Sequence, residues 1–340
     1  MDTERQTLLP DFPAPYNQAV ELLRKIPCAG AQKPLAGARS GTSAARLLAR
    51  LLGWWHLTSL DAPTVAVCWC EALASITRVR LPLWVPVALG LGTWSIYLGD
   101  RLMDARRALA PLRERHWFHW RHRAVLLPVA IASLIVALAL VLRRMPQAIR
   151  ARDAVLALAA AIYFAAIHSG RGTEAREAEP EIRPETVARG LRRFTLKSAS
   201  RFASKETFVG LIFAMVCAAP AATRAAGGYA VLIAPVAACF LLAWLNCWLI
   251  ERWDAGRGGG MRNQLALAAA AAVAAALAFA FDAQAAGGFL LAMAASALLL
   301  AWLDRNRHRL AALHLRAAAD LVLLTPLLTI LFPALLRGWR

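Results

Sequence analysis

The feature that most constrains this chain is a series of long apolar runs, separated by shorter segments rich in arginine. A membrane-spanning helix needs about 20 mostly apolar residues, and 59% of the 340 residues are hydrophobic, which is too many for a soluble domain of this size. Runs such as LALAAAAAVAAALAFAF, residues 265–281, do not alternate in polarity as membrane β-barrel strands do. The sequence therefore predicts an all-α, polytopic membrane protein.

About nine of these runs are long and apolar enough to be interpreted as transmembrane helices. The predicted spans are residues 60–79, 81–98, 124–142, 152–168, 207–222, 229–250, 264–281, 286–303 and 317–336. Many of them are rich in alanine, and small residues are expected where membrane helices pack closely.

The first 58 residues contain no apolar segment typical of a secretory signal peptide. We expect residues 1–45 to form a flexible cytoplasmic tail. The segment that begins ARLLARLLGWWHL at residue 45 predicts an amphipathic helix over residues 46–58. Its basic residues lie four apart, and its paired tryptophans suit the headgroup zone, so we expect it at the membrane interface. Residues 59–340 are then the transmembrane domain.

The net charge of +18 does not indicate a nucleic-acid-binding protein, because the basic residues are distributed by membrane side. With nine spans, 30 of the 39 Lys and Arg residues fall on the side of the N-terminus and 9 on the other. Positive residues accumulate on the cytoplasmic side. We therefore expect an integral, multi-pass protein of the cell (inner) membrane, with a cytoplasmic N-terminus and an outside C-terminus.

Two carboxylates, Asp100 and Asp104, follow the second predicted span in the segment GDRLMDARR. A spacing of four places them on one helix face, where they repel each other unless a cation lies nearby. Two interpretations remain open. Neighbouring arginines compensate the pair at a solvated helix end, or Mg²⁺ joins both carboxylates to a substrate phosphate.

A second group of polar residues ends the sixth predicted span, in the segment LNCWLIERWDAGRGGG. At 100° per residue, Asn246, Glu251 and Asp254 cover one broad face of a helix. Two separate helices thus carry acids at the same membrane depth. This coincidence favours a two-sided site for a metal ion and a diphosphate over two unrelated helix ends.

These helix ends resemble the two Asp-rich motifs of the UbiA superfamily of intramembrane prenyltransferases, which follow helices two and six of nine. Residues 100–104, DRLMD, match the D-R-x-x-D half of the first motif, although Ile96 and Tyr97 replace its leading Asn-Asp. Asn246 and Asp254 match the outer positions of the second motif.

The resemblance implies nine helices around a cytoplasm-facing cavity, over about residues 55–336. It also implies a Mg²⁺-dependent transferase that moves an isoprenoid group from a prenyl diphosphate to a lipophilic or aromatic acceptor. The middle acid of the second motif is Ile250 here, so the number of acids is lower than in the family. The implied roles are Mg²⁺ binding by Asp100, Asp104 and Asp254, completion of the site by Asn246 and Glu251, and diphosphate contacts by Arg101 and Lys205.

A non-catalytic lipid-binding protein or a transporter on the same scaffold is the alternative. Glu71 lies inside the first predicted span, and Asp320 lies about one turn inside the ninth. Ionisable residues inside a membrane often mark ion or proton paths. Membrane lipids are expected partners under either hypothesis, and nucleic acid under neither.

Overall fold

The computed structural model describes residues 43–107, 114–170, 205–225 and 228–331. These residues form α-helices, two 3₁₀ turns and their connections, with no β-strand in the described ranges. The predicted all-α class is therefore confirmed for this part of the chain. The described residues from 49 onward belong to one compact unit, called here the residue 49–340 unit. Most of the predicted tail and of the 169–205 loop lies outside the described residues.

Eleven α-helices are present in the described ranges. They are α1 (Ser43–Leu57), α2 (Asp61–Ile76), α3 (Trp84–Arg107), α4 (Glu114–Arg121), α5 (Arg123–Arg144), α6 (Gln147–Gly170), α7 (Lys205–Ala222), α8 (Ile233–Asp254), α9 (Met261–Ala280), α10 (Gln284–Asn306) and α11 (Ala312–Val322). A 3₁₀ turn precedes α8, and another follows α10.

Four helical segments in the described ranges are long and apolar enough to cross a membrane, as expected of a membrane protein. They are Arg123–Arg144, Ala230–Asp254, Met261–Ala280 and Gln284–Arg309. Each of the nine predicted spans overlaps a described helix, and these four segments are the ones that meet both requirements within the described residues. The count of about nine spans therefore stays a prediction.

Helix α2 is the central element of the residue 49–340 unit, because it packs against α3, α7, α10 and α11. Trp69 and Leu73 on this helix are fully buried. The Trp69 indole Nε1 donates a hydrogen bond of 2.8 Å to the carbonyl of Leu323, just beyond α11. Carbonyls at a helix end lack partners inside the helix, so this bond ties α11 to the core.

Close contact between α7 and α8 depends on a glycine. A Cβ atom at Gly210 would lie 3.0 Å from the backbone nitrogen of Trp244 and 3.2 Å from the carbonyl oxygen of Phe240. Helices in membranes gain packing contacts where small residues let their backbones approach. Gly210 therefore fixes the spacing of two helices that form one wall of the cavity described below.

The connection between α8 and α9 is held by Asp304 of α10. Both carboxylate oxygens of Asp304 accept hydrogen bonds of 3.0 Å from the backbone N–H of Gly259, and one also accepts 2.7 Å from Trp253 Nε1. Asp304 is buried, and Gly260 adopts a positive φ of 73°. These contacts fix the chain immediately after the polar end of α8.

Candidate functional site

A cavity of about 2330 Å³ lies within the residue 49–340 unit. Most of the residues along its walls are apolar and come from α2, α3, α5, α7 and α8. Acidic, basic and amide side chains also line it, chiefly from α3, α8 and α11. The cavity thus offers one continuous space to a molecule with an apolar chain and a charged group.

Six of the seven residues that the sequence assigned to a metal and diphosphate site line this cavity. They are Asp100, Arg101, Asp104, Asn246, Glu251 and Asp254. The seventh, Lys205, is the first residue of α7, and its side chain lies outside the described part of the structure. Glu71, on α2, is not among the residues lining the cavity.

Asp254 is engaged in an ion pair that the sequence did not reveal. Its carboxylate binds the guanidinium of Arg316, from α11, and the two side chains are 10% and 11% exposed. Both residues line the cavity. The positive charge beside Asp254 is therefore a protein side chain, and the pair adds Arg316 to the arginines that line the cavity, among them Arg101.

A second polar cluster brings together His56, Asp61 and Asp320, from α1, α2 and α11. His56 Nδ1 lies 2.6 Å from Asp61 Oδ2 and 3.1 Å from Asp320 Oδ2. His56 and Asp61 are buried, and the Asp320 side chain is 14% exposed. All three line the same cavity as the Asp100 and Asp254 residues.

Asn246 belongs to this second cluster through a hydrogen bond. Its Nδ2 donates 2.9 Å to Asp320 Oδ1, and its side-chain carbonyl oxygen is buried without a hydrogen-bond partner. The resemblance to the second Asp-rich motif groups Asn246 with Asp254, which lies two turns further along α8. In the structure, Asn246 connects α8 to the cluster on α1, α2 and α11.

The turn between α1 and α2 positions His56 and Asp61. Ser59 in this turn has a positive φ of 56°, and its Oγ is 3.2 Å from Nε2 of the buried His119 of α4. Trp94 Nε1 of α3 donates 2.9 Å to the carbonyl oxygen of Thr58. Helices α3 and α4 therefore hold a turn whose two ends present the imidazole and the carboxylate to each other.

Asp61 is also fixed by its position as the first residue of α2. Its Oδ1 accepts a hydrogen bond of 2.8 Å from the backbone N–H of Ala62. A carboxylate is favoured at a helix N-terminus, where backbone N–H groups lack partners within the helix. One oxygen of Asp61 thus accepts a hydrogen bond from the helix backbone, and the other faces His56.

The charges of the second cluster change the pKa of His56, which lies on α1. Burial by itself lowers the pKa of His56, but hydrogen bonds and negative charge from Asp320 and Asp61 outweigh it and raise the pKa from 6.5 to about 9. The imidazole therefore carries a proton at neutral pH when no other cation occupies the cluster. One positive charge is then shared between two carboxylates.

Sequence reasoning did not identify His56, Asp61 or Arg316 as site residues. His56 and Asp61 are only five positions apart, and they flank the boundary between an amphipathic segment and an apolar one. That pattern was the available signal for the pair. The contact of His56 with Asp320 spans 264 positions, and nothing in the spacing of a single sequence indicates it.

The cavity therefore contains two chemically different sets of ligands. Asp100 and Asp104 offer carboxylate oxygens, which are hard ligands suited to Mg²⁺. The second cluster offers an imidazole nitrogen together with carboxylate and amide oxygens, a mixture suited to transition metals. Arg101 and Arg316 add positive charge for an anionic group such as a phosphate.

Comparison with known proteins adds no relative to this description. No family model, no curated protein and no solved structure matches the chain.

Proposed function

We propose that this chain is a UbiA-like intramembrane prenyltransferase, which moves an isoprenoid group from a prenyl diphosphate to a lipophilic or aromatic acceptor. The observation that carries the proposal is that Asp100 and Asp104 of α3 and Glu251 and Asp254 of α8 line one cavity, most of whose lining residues are apolar. A prenyl diphosphate has the same division into a charged head and an apolar chain.

The size of the cavity supports two bound substrates. Pockets for small molecules commonly measure about 300–1,000 Å³, whereas this cavity measures about 2330 Å³. The space accommodates a long isoprenoid chain and leaves room for an acceptor. Leu89, Phe213 and Val216, on α3 and α7, are among the apolar residues that line it and exclude water from a reactive allylic group.

The residues present fit a Mg²⁺ ion at Asp100 and Asp104. Their carboxylates lie one helical turn apart on α3 and line the cavity, and Mg²⁺ commonly joins one or two carboxylates to a substrate phosphate. Asp254 fits less directly, because its carboxylate is already paired with Arg316. When bound, Mg²⁺ would supply positive charge to the departing diphosphate.

Two arginine side chains also contribute positive charge for the departing diphosphate. Arg101 and Arg316 line the cavity, and guanidinium groups bind phosphate oxygens through paired hydrogen bonds. They stabilise negative charge that develops on the leaving diphosphate. Asp254 orients Arg316 for this contact, and Glu251 adds a further carboxylate on the same wall.

The proposal includes the finer topology. About nine spans with a cytoplasmic N-terminus place the ends of α3 and α8 toward the cytoplasm, where water-soluble Mg²⁺ and diphosphate are available. The excess of basic residues assigned to that side supports this orientation. The C-terminus, outside the described residues, then lies on the other side.

Calorimetric titration with a non-hydrolysable prenyl diphosphate analogue, with and without Mg²⁺, tests the proposal. Asp100→Asn and Asp104→Asn should each weaken the Mg²⁺-dependent binding by about tenfold or more, because the amide keeps the shape and removes the charge. Glu71→Gln is the matched control, since Glu71 does not line the cavity, and it should bind as the wild type does. Wild-type binding that is unaffected by Mg²⁺ would contradict the proposal.

The second cluster favours a transporter as the competing function. Asp320 is an ionisable residue among buried partners, and such residues often serve ion or proton paths in membranes. A transporter predicts the opposite order of effects. Asp320→Asn would then abolish substrate-driven proton or ion flux in proteoliposomes, while Asp100→Asn and Asp104→Asn would leave it intact.

A further inference from the structure

We propose that His56, Asp61, Asp320 and Asn246 form a binding site for a divalent transition-metal ion such as Mn²⁺ or Zn²⁺. This site is separate from the Mg²⁺ position assigned to Asp100 and Asp104. It does not depend on the prenyltransferase proposal, because it rests on the second cluster alone.

The first observation is the convergence of ligand atoms. One nitrogen of His56 and one oxygen each from Asp61 and Asp320 all lie within 4.8 Å of one another. Atoms that share a metal at ligand distances of about 2.0–2.2 Å are themselves about 3 Å apart in tetrahedral or octahedral geometry. The 2.6 Å and 3.1 Å distances from His56 Nδ1 to the two carboxylates agree with such a shell after small adjustments.

The second observation is the balance of charge. Buried charges in proteins are paired or bind metal ions. The cluster brings two carboxyl groups against one imidazole, and the side chains of His56 and Asp61 are only 3% and 5% exposed. A divalent cation with a neutral imidazole makes the same cluster electrically neutral. A divalent cation can therefore balance both carboxylates at once.

The third observation is the carbonyl oxygen of the Asn246 side chain. Asn246 is 4% exposed, and this oxygen has no hydrogen-bond partner, although buried polar atoms nearly always have one. The other atom of the amide, Nδ2, is fixed by its bond to Asp320. The oxygen is attached to the same carbon and therefore lies beside the cluster, where a cation would provide the missing partner.

The mixture of donors selects the class of metal. Imidazole nitrogen suits Zn²⁺, Mn²⁺ and iron better than it suits Mg²⁺, which prefers a shell of oxygen atoms. The outer contacts support the same assignment, because Asp61 Oδ1 is held by the N–H of Ala62 and ligating carboxylates are commonly held in this way. All four residues line the cavity, which gives an ion a path to them.

Mn²⁺ provides a direct test, because electron spin echo spectroscopy detects a nitrogen atom bound to the ion. Purified full-length protein is treated with a chelator, loaded with one equivalent of Mn²⁺ and measured. We expect the wild-type spectrum to show hyperfine coupling between Mn²⁺ and a nitrogen nucleus, called nitrogen coupling below. The coupling should disappear in His56→Gln, and the Mn²⁺ affinity of Asp320→Asn should fall by about tenfold or more.

Two controls separate this site from its alternatives. Asp100→Asn should keep the nitrogen coupling, because its carboxylate belongs to the other ligand set. His308→Gln, at a 3₁₀ turn outside the cavity, should also keep it. The proposal is overturned by a wild-type spectrum without nitrogen coupling, by coupling that persists in His56→Gln, or by coupling that Asp100→Asn removes. The first of these outcomes requires only wild-type protein, so it overturns the proposal even if a variant folds poorly.

Discussion

The guanidinium of Arg316 forms an ion pair with the carboxylate of Asp254, and this pair connects the start of α11 to the end of α8. Both side chains are nearly buried, at 11% and 10% exposure. Removing one partner of such a pair leaves an uncompensated charge and destabilises a protein more than removing both. The relationship therefore makes Asp254 important for stability as well as for the proposed diphosphate site.

A double-mutant cycle tests this dual role. We expect Asp254→Asn and Arg316→Gln each to lower the stability of the detergent-solubilised protein. The double variant should be about 1–3 kcal/mol more stable than the sum of the two single losses predicts. Thermal unfolding without Mg²⁺ or substrate measures the coupling. The pair Arg305→Gln and Asp153→Asn, on α10 and α6, serves as a control in which the two losses should add. Additive losses for Asp254 and Arg316 would show that their contact contributes no net stability.

The sequence predicts best the features that depend on a single helix. Apolar run length and composition located α5, α8, α9 and α10, because a membrane helix must present apolar residues along its whole length. The same local reasoning placed Asp100 and Asp104 one turn apart on α3 and Asp254 at the end of α8. These residues line one cavity, and their metal and diphosphate roles stay predictions.

The contacts between distant helices could not be predicted in this way. Asn246 and Asp320 are 74 positions apart, and His56 and Asp320 are 264 apart. Periodicity describes the faces of a helix, but it does not say which helix lies opposite. The predicted spans leave Arg316 in the connection between residues 303 and 317, whereas α11 begins at Ala312 and carries Arg316 into the cavity.

The spacing of α7 and α8 gives a second prediction. Gly210→Ala should lower Tm, because its Cβ would approach the backbone nitrogen of Trp244 to 3.0 Å, and a backbone atom cannot rotate away. Overpacking of this kind costs about 1–3 kcal/mol. Gly288→Ala on α10 is the matched control, since a Cβ there meets no atom within 4 Å. This control should be neutral or slightly stabilising because alanine favours helix.

Membrane topology gives a third prediction, made from the distribution of basic residues. On a cysteine-free background, Glu114→Cys at the start of α4 should react with an impermeant thiol reagent only after the cells are opened. Asp282→Cys, in the exposed turn between α9 and α10, should react in intact cells. Labelling of position 114 from outside would reverse the proposed orientation and place the ends of α3 and α8 on the wrong side for cytoplasmic substrates.

The second cluster gives a fourth prediction, which concerns pH in the metal-free protein. The pKa of His56 is raised from 6.5 to about 9, so the folded protein binds this proton more tightly than the unfolded chain does. The stabilisation is fully present below about pH 6.5 and is lost as the pH rises through about 9. We expect the Tm of chelator-treated wild type to fall by about 5 °C across this window.

His56→Gln separates this effect from other groups that titrate at alkaline pH. The variant cannot gain the proton, so no positive charge at position 56 faces Asp61 and Asp320 at any pH in the window. The difference in Tm between wild type and variant should therefore be largest below about pH 6.5 and should shrink above about pH 9. A difference that stays constant with pH would show that His56 stabilises the cluster by packing and hydrogen bonding alone, without a change in its protonation.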